Sequence, residues 1–316
     1  MLGVVDADPA SSTALLDQRL GEMERRLANI EASARTIEDY VRDTRRLVGP
    51  FAASLADGKL LVHTTYSTLL IVDSNDLIIT PQLVIYRRWE PELTELIWNS
   101  CHTNTVFVDV GANIGYFTVL AGSRIRDGGK GRVIAVEPNP ACLPLLERNL
   151  VINWSMCPIE IHKVAAGAAP GEAWLASPTA RAANAHISAA DEITDFEQRT
   201  AIRVETLDSI VPAGLAVDIL KIDVEGHEIS VFRGAERVIT QSPNIKIVME
   251  WSPGQIAAAG VAVEEIQTNL RRLGLVARRL PKGGSLDQLT LENSPLIPID
   301  RLSDLAYDNI LLTRQA

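Results

Sequence analysis

Residues 105–120 read TVFVDVGANIGYFTVL. From Thr105 to Val110 every residue except Asp109 is β-branched or aromatic, the composition of a strand buried on both faces. Gly111 to Gly115 then makes a turn with two glycines four apart, and Tyr116 opens a helix that runs to Arg126. Strand, glycine turn and helix together form the opening half of a βαβ unit. The same alternation continues downstream. Arg132 to Val136 is a strand ending in Glu137, Pro140 to Val151 a helix, and Ile159 to Val164 a strand. Val217 to Ile222 is a strand ending in Asp223, followed by a helix through Ile239. Ile245 to Met249 ends in Glu250 and is followed by a helix from Val263 to Leu273, and Leu275 to Leu280 and Ile310 to Arg314 are closing strands. Upstream, LLVH, TLLIV and QLVIY between Leu60 and Tyr86 read as short β runs, and Pro91 to Asn99 as a helix. The expected fold is α/β, a doubly wound and mostly parallel sheet.

Such sheets bind ligands beyond the carboxyl ends of their strands. Asp109, Glu137, Asp223 and Glu250 all stand there. A dinucleotide fingerprint would need glycine at 111, 113 and 116, but Asn113 and Tyr116 occupy the last two. No phosphate loop ending in Gly-Lys-Ser/Thr is present. What remains suits a cofactor with an amino-acid moiety, whose carboxylate can use the N–H groups of a helix start. Glu137, at the end of the next strand, can accept hydrogen bonds from both hydroxyls of a ribose. These features describe S-adenosylmethionine better than NAD.

The runs DVGANIGYFT, VIAVEPNP, VETLDSI, DILKIDVEGHE, IVMEW and DNILLTR resemble, in order and spacing from Ile85 to Arg314, the FkbM family of S-adenosylmethionine-dependent methyltransferases. The resemblance implies a class I, Rossmann-like fold whose last strand is antiparallel. It implies that Asp109, Gly111, Asn113 and Gly115 hold the methionine portion, with Tyr116 in the same cofactor set. Glu137 would bind the ribose with Asn139 close by, and the adenine would lie near Val164 and Ala165. Glu172 to Arg203, which carries no readable motif, is where departures tied to the acceptor are expected.

Methyl transfer from a sulfonium is an in-line displacement, so placing the acceptor matters most, and a general base helps when the acceptor is an alcohol. Candidates cluster in the KIDVEGHE run. Asp223, at the strand end, ranks first for positioning or base work. Lys221 could orient an acidic neighbour or snorkel to the surface, and Glu225 could act at the site or cap the following helix. His227 lies about one turn further on, and Glu228 reads as a solvated helix acid. Glu250 is the other strand-end candidate. Asp223 and Glu250 could jointly bind a divalent cation such as magnesium, although no spacing demands one. His63 and His186 read as structural, and Asp208 as a helix N-cap. The leading expectation is O-methylation of a hydroxyl on a sugar, glycan or secondary metabolite. The alternatives are N-methylation, or a cofactor-binding scaffold that recruits a glycan-assembly or biosynthetic partner.

Ahead of this domain, Leu16, Leu20, Met23, Leu27, Ile30, Ala34, Ile37, Val41, Thr44 and Val48 are spaced alternately by four and three. That is a heptad repeat, and it predicts a coiled-coil helix. With Leu20 and Leu27 at position a, Arg19 and Arg26 fall at g and Glu24 and Glu31 at e, attractive pairs for a parallel homo-oligomer through residues 12–48. An amphipathic helix packed on its own domain is the competing reading. Gly49-Pro50 ends the helix. The expected division is a coiled coil over 1–48, a hairpin-and-helix lead-in over 49–100 and the catalytic domain over 101–316. The 316 residues carry a formal charge of −10, which argues against a nucleic-acid partner. Three cysteines without close pairing suit a reducing compartment, and no signal segment or membrane-spanning run is visible; a cytoplasmic protein is expected.

Overall fold

A computed structural model describes residues 19–24, 26–27, 30, 51–126, 128–178, 186–188, 197–290 and 292–314. The chain divides into two compact units, Met1–Phe51 and Ala52–Ala316. In the first, residues 19–24, 26–27 and 30 are helical, and Leu20, Met23, Leu27 and Ile30 are exposed. The heptad positions at Leu16 and from Ala34 onward, with Glu31, lie outside the described residues.

The second unit is organised around β4. Its strands and helices, in chain order, begin with the lead-in: β1 (Ala52–Ser54), β2 (Lys59–His63), β3 (Leu69–Asp73), α1 (Ile79–Tyr86) and α2 (Pro91–Ser100). The first βαβ units follow as β4 (Val106–Val110), α3 (Tyr116–Ile125), β5 (Arg132–Val136), α4 (Leu143–Ile152) and β6 (Ile159–His162). An inserted sheet comprises β7 (Ala165–Ala166), β8 (Gly171–Pro178), β9 (His186–Ser188) and β10 (Glu197–Glu205). Then come α5 (Leu207–Ile210), β11 (Ile219–Ile222), α6 (Glu228–Arg233), α7 (Glu236–Gln241), β12 (Lys246–Trp251), α8 (Pro253–Ala258) and α9 (Val263–Arg272). Strands β13 (Leu275–Arg279), β14 (Leu296–Ile297) and β15 (Asp308–Arg314) close the unit.

Eight of these strands form one sheet in the order β14-β13-β15-β12-β11-β4-β5-β6. The run from β12 to β6 is parallel, and the closing β15 pairs antiparallel with β12, as the resemblance implied. The chain therefore adopts the α/β, Rossmann-like class I arrangement. Side chains of β4 alternate between two cores: Val106, Val108 and Val110 join one, while Phe107 packs with Phe117, Val119 and Leu120 of α3 in the other. Covering both faces removes the strand from water, at about 1.5–3 kcal/mol for each large apolar side chain fully buried. In register, Asp109 of β4 stands beside Lys221 of β11, which places both strand ends at one edge.

Three expectations are corrected. QLVIY is not a strand but most of α1. Asp76 accepts hydrogen bonds from the backbone N–H groups of Ile78 (3.1 Å) and Thr80 (2.6 Å), and Pro81 sits in the first helical turn, where its missing N–H costs nothing. Asp208 does not cap its own helix; Thr206 does, accepting from the N–H of Ser209. Asp208 caps α7 instead, accepting from the N–H groups of Arg237 and Val238, each at 2.9 Å. The helix after Asp223 is split in two at Gly234, where an added Cβ would meet the Gly167 carbonyl oxygen at 2.0 Å.

The lead-in is fastened to the main domain through two asparagines, one in α4 and one just after it. Asn149 and Asn153 are one turn apart and pair with the free edge of β3 as a neighbouring strand would. Asn149 Oδ1 accepts from the N–H of Ile71 (2.6 Å) and its Nδ2 donates to the Ile71 carbonyl (3.1 Å). Asn153 does the same with Leu69, at 2.9 and 2.7 Å. Asn149 Nδ2 also reaches the carbonyl of Ile114 (2.8 Å), so one buried amide joins β3 to the glycine turn. Among the described residues, no helix is long and apolar enough to cross a membrane.

Candidate active site

The strand ends open into a cavity of about 330 Å³. Its floor is the turn between β4 and α3, where Gly111 has φ +78° and a Cβ placed on it would come within 1.9 Å of the Asp223 carbonyl oxygen. Only glycine lets the two strand ends approach this closely. Asn113 takes the left-handed region at φ 52°, a conformation its short amide tolerates. Gly115, with φ +89°, does not line the cavity; its missing side chain makes room for Leu146 of α4.

Glu137 leaves β5 into the same cavity and is 5 % exposed. The backbone donates to both of its oxygens: the N–H of Asn113 to Oε2 and that of Asn139 to Oε1, each at 2.7 Å. Burial pushes its pKa up to about 7, although these two bonds pull the other way. Each oxygen keeps a lone pair, so the carboxylate can receive two hydroxyls of a vicinal diol. Asn139, whose Oδ1 accepts from the N–H of Ala141 (3.0 Å), and Ala165 complete this side. Tyr116 also lines it, its hydroxyl 3.2 Å from Thr94 Oγ1.

Asp109 sits differently. It is fully buried and does not line the cavity; Thr118 Oγ1 donates to its Oδ2 at 2.6 Å. Its other oxygen lies 3.7 Å from Lys221 Nζ. Lys221 is no surface lysine: it is 3 % exposed, donates to Asp223 Oδ2 at 3.0 Å, and sits 5.2 Å from the Phe117 ring centre. Burial works against its charge, but Asp223 and Asp109 outweigh that and raise its pKa.

The rest of the cavity is acidic. Glu90, Asp223, Glu225 and Glu250 line it, with Trp89, Gln255 and Tyr307. Burial, reinforced by Asp223 and Glu250, pushes Glu225 up to about 8. Its amide neighbour Gln255 donates to it. Glu250 is raised by burial and by Asp223; Tyr307 donates to its Oε1 at 2.6 Å, and its Oε2 is buried with no hydrogen-bond partner. Burial also lifts Glu90 to about 7, and the Asn309 side chain hydrogen-bonds it. Glu90 and Glu225 both hold left-handed backbone, at φ 41° and 52°, which a long side chain adopts only where its surroundings impose it.

Two other members of KIDVEGHE fall outside the cavity. His227 precedes α6 and does not line it. Glu228 is buried rather than solvated, because the chain turns it back to accept from the N–H of Gly226 at 3.1 Å. The expected divalent-cation site is not supported. Among the described residues no group of three or more His, Cys, Asp or Glu side chains could hold a metal ion; Asp223 is engaged by Lys221 and Glu250 by Tyr307. Trp89, Glu90, Gln255 and Tyr307 escape the sequence reading. The only sequence signal near them is that Tyr307 directly precedes the DNILLTR run and that Glu90 precedes a helix-opening proline.

The chain is 24 % identical over 182 residues to methyltransferase sdnD of Sordaria araneosa, covering 49 % of this chain and 69 % of that one. Among solved structures it overlaps P. horikoshii TYW2 in complex with MeSAdo at a TM-score of 0.44 and 10 % identity, over 82 % of this chain and 71 % of that one. It overlaps precorrin-6y C5,15-methyltransferase of Geobacter metallireducens at 0.38 and 15 %, over 74 % and 92 %. The methyltransferase FkbM domain matches residues 109–276, from the Asp109 strand end into the start of β13 and over more than half of the sequence, and the chain belongs to that methyltransferase family.

Proposed function

We propose that the protein transfers a methyl group from S-adenosylmethionine to a hydroxyl of a sugar, glycan or secondary metabolite. Glu137 carries the donor side of this reading: a buried carboxylate, fixed by two backbone N–H groups, stands one strand over from a glycine turn in the same cavity. Glu137 would receive the ribose hydroxyls, Gly111 and Asn113 would face the methionine portion, and Ala165 would border the adenine. When bound, the donor supplies an electrophilic methyl carbon on a sulfonium. The chain's own work is then to place the acceptor and to take up its proton. Lys221 holds Asp223 in one orientation, so Asp223 serves as a positioning carboxylate at the end of β11. An alcohol nucleophile requires a proton acceptor, and the buried acids of this wall supply candidates: burial raises Glu225 to about 8, and burial and Asp223 raise Glu250.

Calorimetry tests the donor assignment: S-adenosylmethionine and its demethylated product should bind at micromolar levels and NAD should not, and the reverse would overturn it. A screen with labelled methyl donor against activated sugars, glycans and polyketides tests the acceptor class; label appearing only in amines would overturn the hydroxyl reading. We further propose that residues 12–48 join copies of the chain in a parallel coiled coil, since Leu20, Met23, Leu27 and Ile30 expose an apolar stripe on a helical segment. Light scattering on full-length Leu20→Glu/Leu27→Glu protein should report a smaller particle than wild type; an unchanged mass would sink the coiled coil.

A further inference from the structure

Glu90 lies outside the residues matched by the family domain, in the lead-in between α1 and α2. It nevertheless lines the cavity together with the glycine turn. Three parts of the chain bring polar or titratable groups near it: Lys221 and Asp223 from β11 and the turn after it, Glu250 from β12, and Tyr307 just before β15 with Asn309 within it. Lys221 lines the cavity near the glycine turn, because its register partner Asp109 stands two residues before Gly111. Asp223, Asp109 and Glu90 are the carboxylates that act on that lysine. Asp109 is sealed from the cavity and Asp223 is tied to Lys221 at 3.0 Å. Glu250 is engaged by Tyr307 and Glu225 by Gln255. Glu90 is therefore a cavity carboxylate near Lys221 that makes no direct bond to it, whereas Asp223 is bonded to that lysine and Glu250 to Tyr307. It is held there by a left-handed backbone, by the helix start at Pro91 and by the Asn309 amide.

We propose that Glu90 is a catalytic carboxylate of the transfer, facing the positive charge of the donor while ionised and taking the acceptor's proton as the methyl carbon moves. This rests on the S-adenosylmethionine reading above. The acceptor oxygen's lone pair forms the new C–O bond as the C–S bond breaks, and that electron pair returns to sulfur. The O–H proton passes to the Glu90 carboxylate, so the carboxylate and the sulfonium lose their charges together. Glu90 then returns the proton to solvent after the product leaves.

The test needs no identified acceptor. Full-length protein is titrated calorimetrically near pH 7 in two buffers of different ionisation heat. One ligand is S-adenosylhomocysteine, uncharged at sulfur; the other is sinefungin, whose protonated amine stands in place of the methylsulfonium. Wild type should release about half a proton more on binding sinefungin than on binding S-adenosylhomocysteine, because any change at Glu137 is common to both ligands while a carboxyl titrating near pH 7 must ionise to face the cation. Glu90→Gln should abolish that excess and lower the preference for sinefungin about tenfold, while affinity for S-adenosylhomocysteine stays within about threefold. Glu90→Asp keeps the carboxylate and should keep the excess, shifted to lower pH; it decides the matter if the glutamine variant is unstable. An unchanged excess in Glu90→Gln, or equal weakening of both ligands, overturns the role of Glu90. Wild type that binds neither ligand overturns the donor reading itself.

Discussion

The two sides of the cavity are built in opposite ways. The proposed donor side is local: Gly111, Asn113, Glu137 and Asn139 lie within 30 residues of one another, on two adjacent strands and their turns, and backbone N–H groups fix Glu137. The acidic side is assembled from Glu90, Asp223, Glu225, Glu250 and Tyr307, which come from four separate parts of the chain and are fixed by side chains. A common donor can be served by a rigid backbone cradle. If the acidic side receives the acceptor, as proposed, such a wall of dispersed side chains can change residue by residue without disturbing that cradle.

The sharpest way to break this contrast is at Gly111. Gly111→Ala forces a Cβ into the Asp223 carbonyl and a left-handed φ on a residue that resists it. Calorimetry with S-adenosylhomocysteine should find binding weakened more than about 100-fold, and unfolding should show about 3 kcal/mol of lost stability. Next in size is Glu137→Ala, which removes two charge-assisted bonds to the ligand and should weaken the same binding by about 100-fold while leaving the fold intact. If binding is unchanged, the donor does not lie on β5.

A smaller effect distinguishes the sides by pH. Glu90, Glu137 and Glu228 titrate at about 7 and Glu225 at about 8 because folding buries them. A carboxyl whose pKa is raised by folding stabilises the fold only while it is protonated. This contribution is full below about pH 4.5 and is lost as pH climbs through about 7 to 8. The thermal midpoint of the ligand-free protein should therefore fall by several degrees between pH 5 and 8.5, and Glu228→Gln, away from the cavity, should flatten part of that slope without touching ligand affinity. A midpoint that rises over this interval would show that the buried acids are already ionised without penalty. The smallest expected change is in Tyr307→Phe, which frees Glu250 Oε1. Donor affinity should stay within about threefold, since only the acidic side has been altered; a larger loss would mean the two sides are not separable.

The same contrast explains what the sequence discloses. Residues 105–120 announce strand, turn and helix because their signals are contiguous, and Glu137 is found because strand ends recur at a regular spacing. QLVIY misleads because its β-branched and aromatic residues outweigh, in a local reading, the Asp76 cap three residues before the helix begins. Glu228 looks like a surface acid because its partner, the Gly226 N–H, exists only once the chain turns back on itself. Glu90 and Tyr307 give no usable signal: 217 positions separate them, and only the placement of β15 beside β12 brings them together. The inserted sheet from Ala165 to Glu205 is similarly silent, since its β10 pairs with both neighbours through long-range contacts.

Asn149 carries a practical consequence for how far this enzyme can be cut or grafted. Its amide spans β3, α4 and the Ile114 carbonyl of the glycine turn. The smallest portable piece therefore begins at β1, not at Asp109 where the family domain starts, and it must run through β15. A fragment limited to 109–276 would leave that amide with one of its three backbone partners, and would also discard Glu90 and Tyr307. A graft of residues 109–276 alone would carry the glycine turn and Glu137 but leave Glu90 and Tyr307 behind.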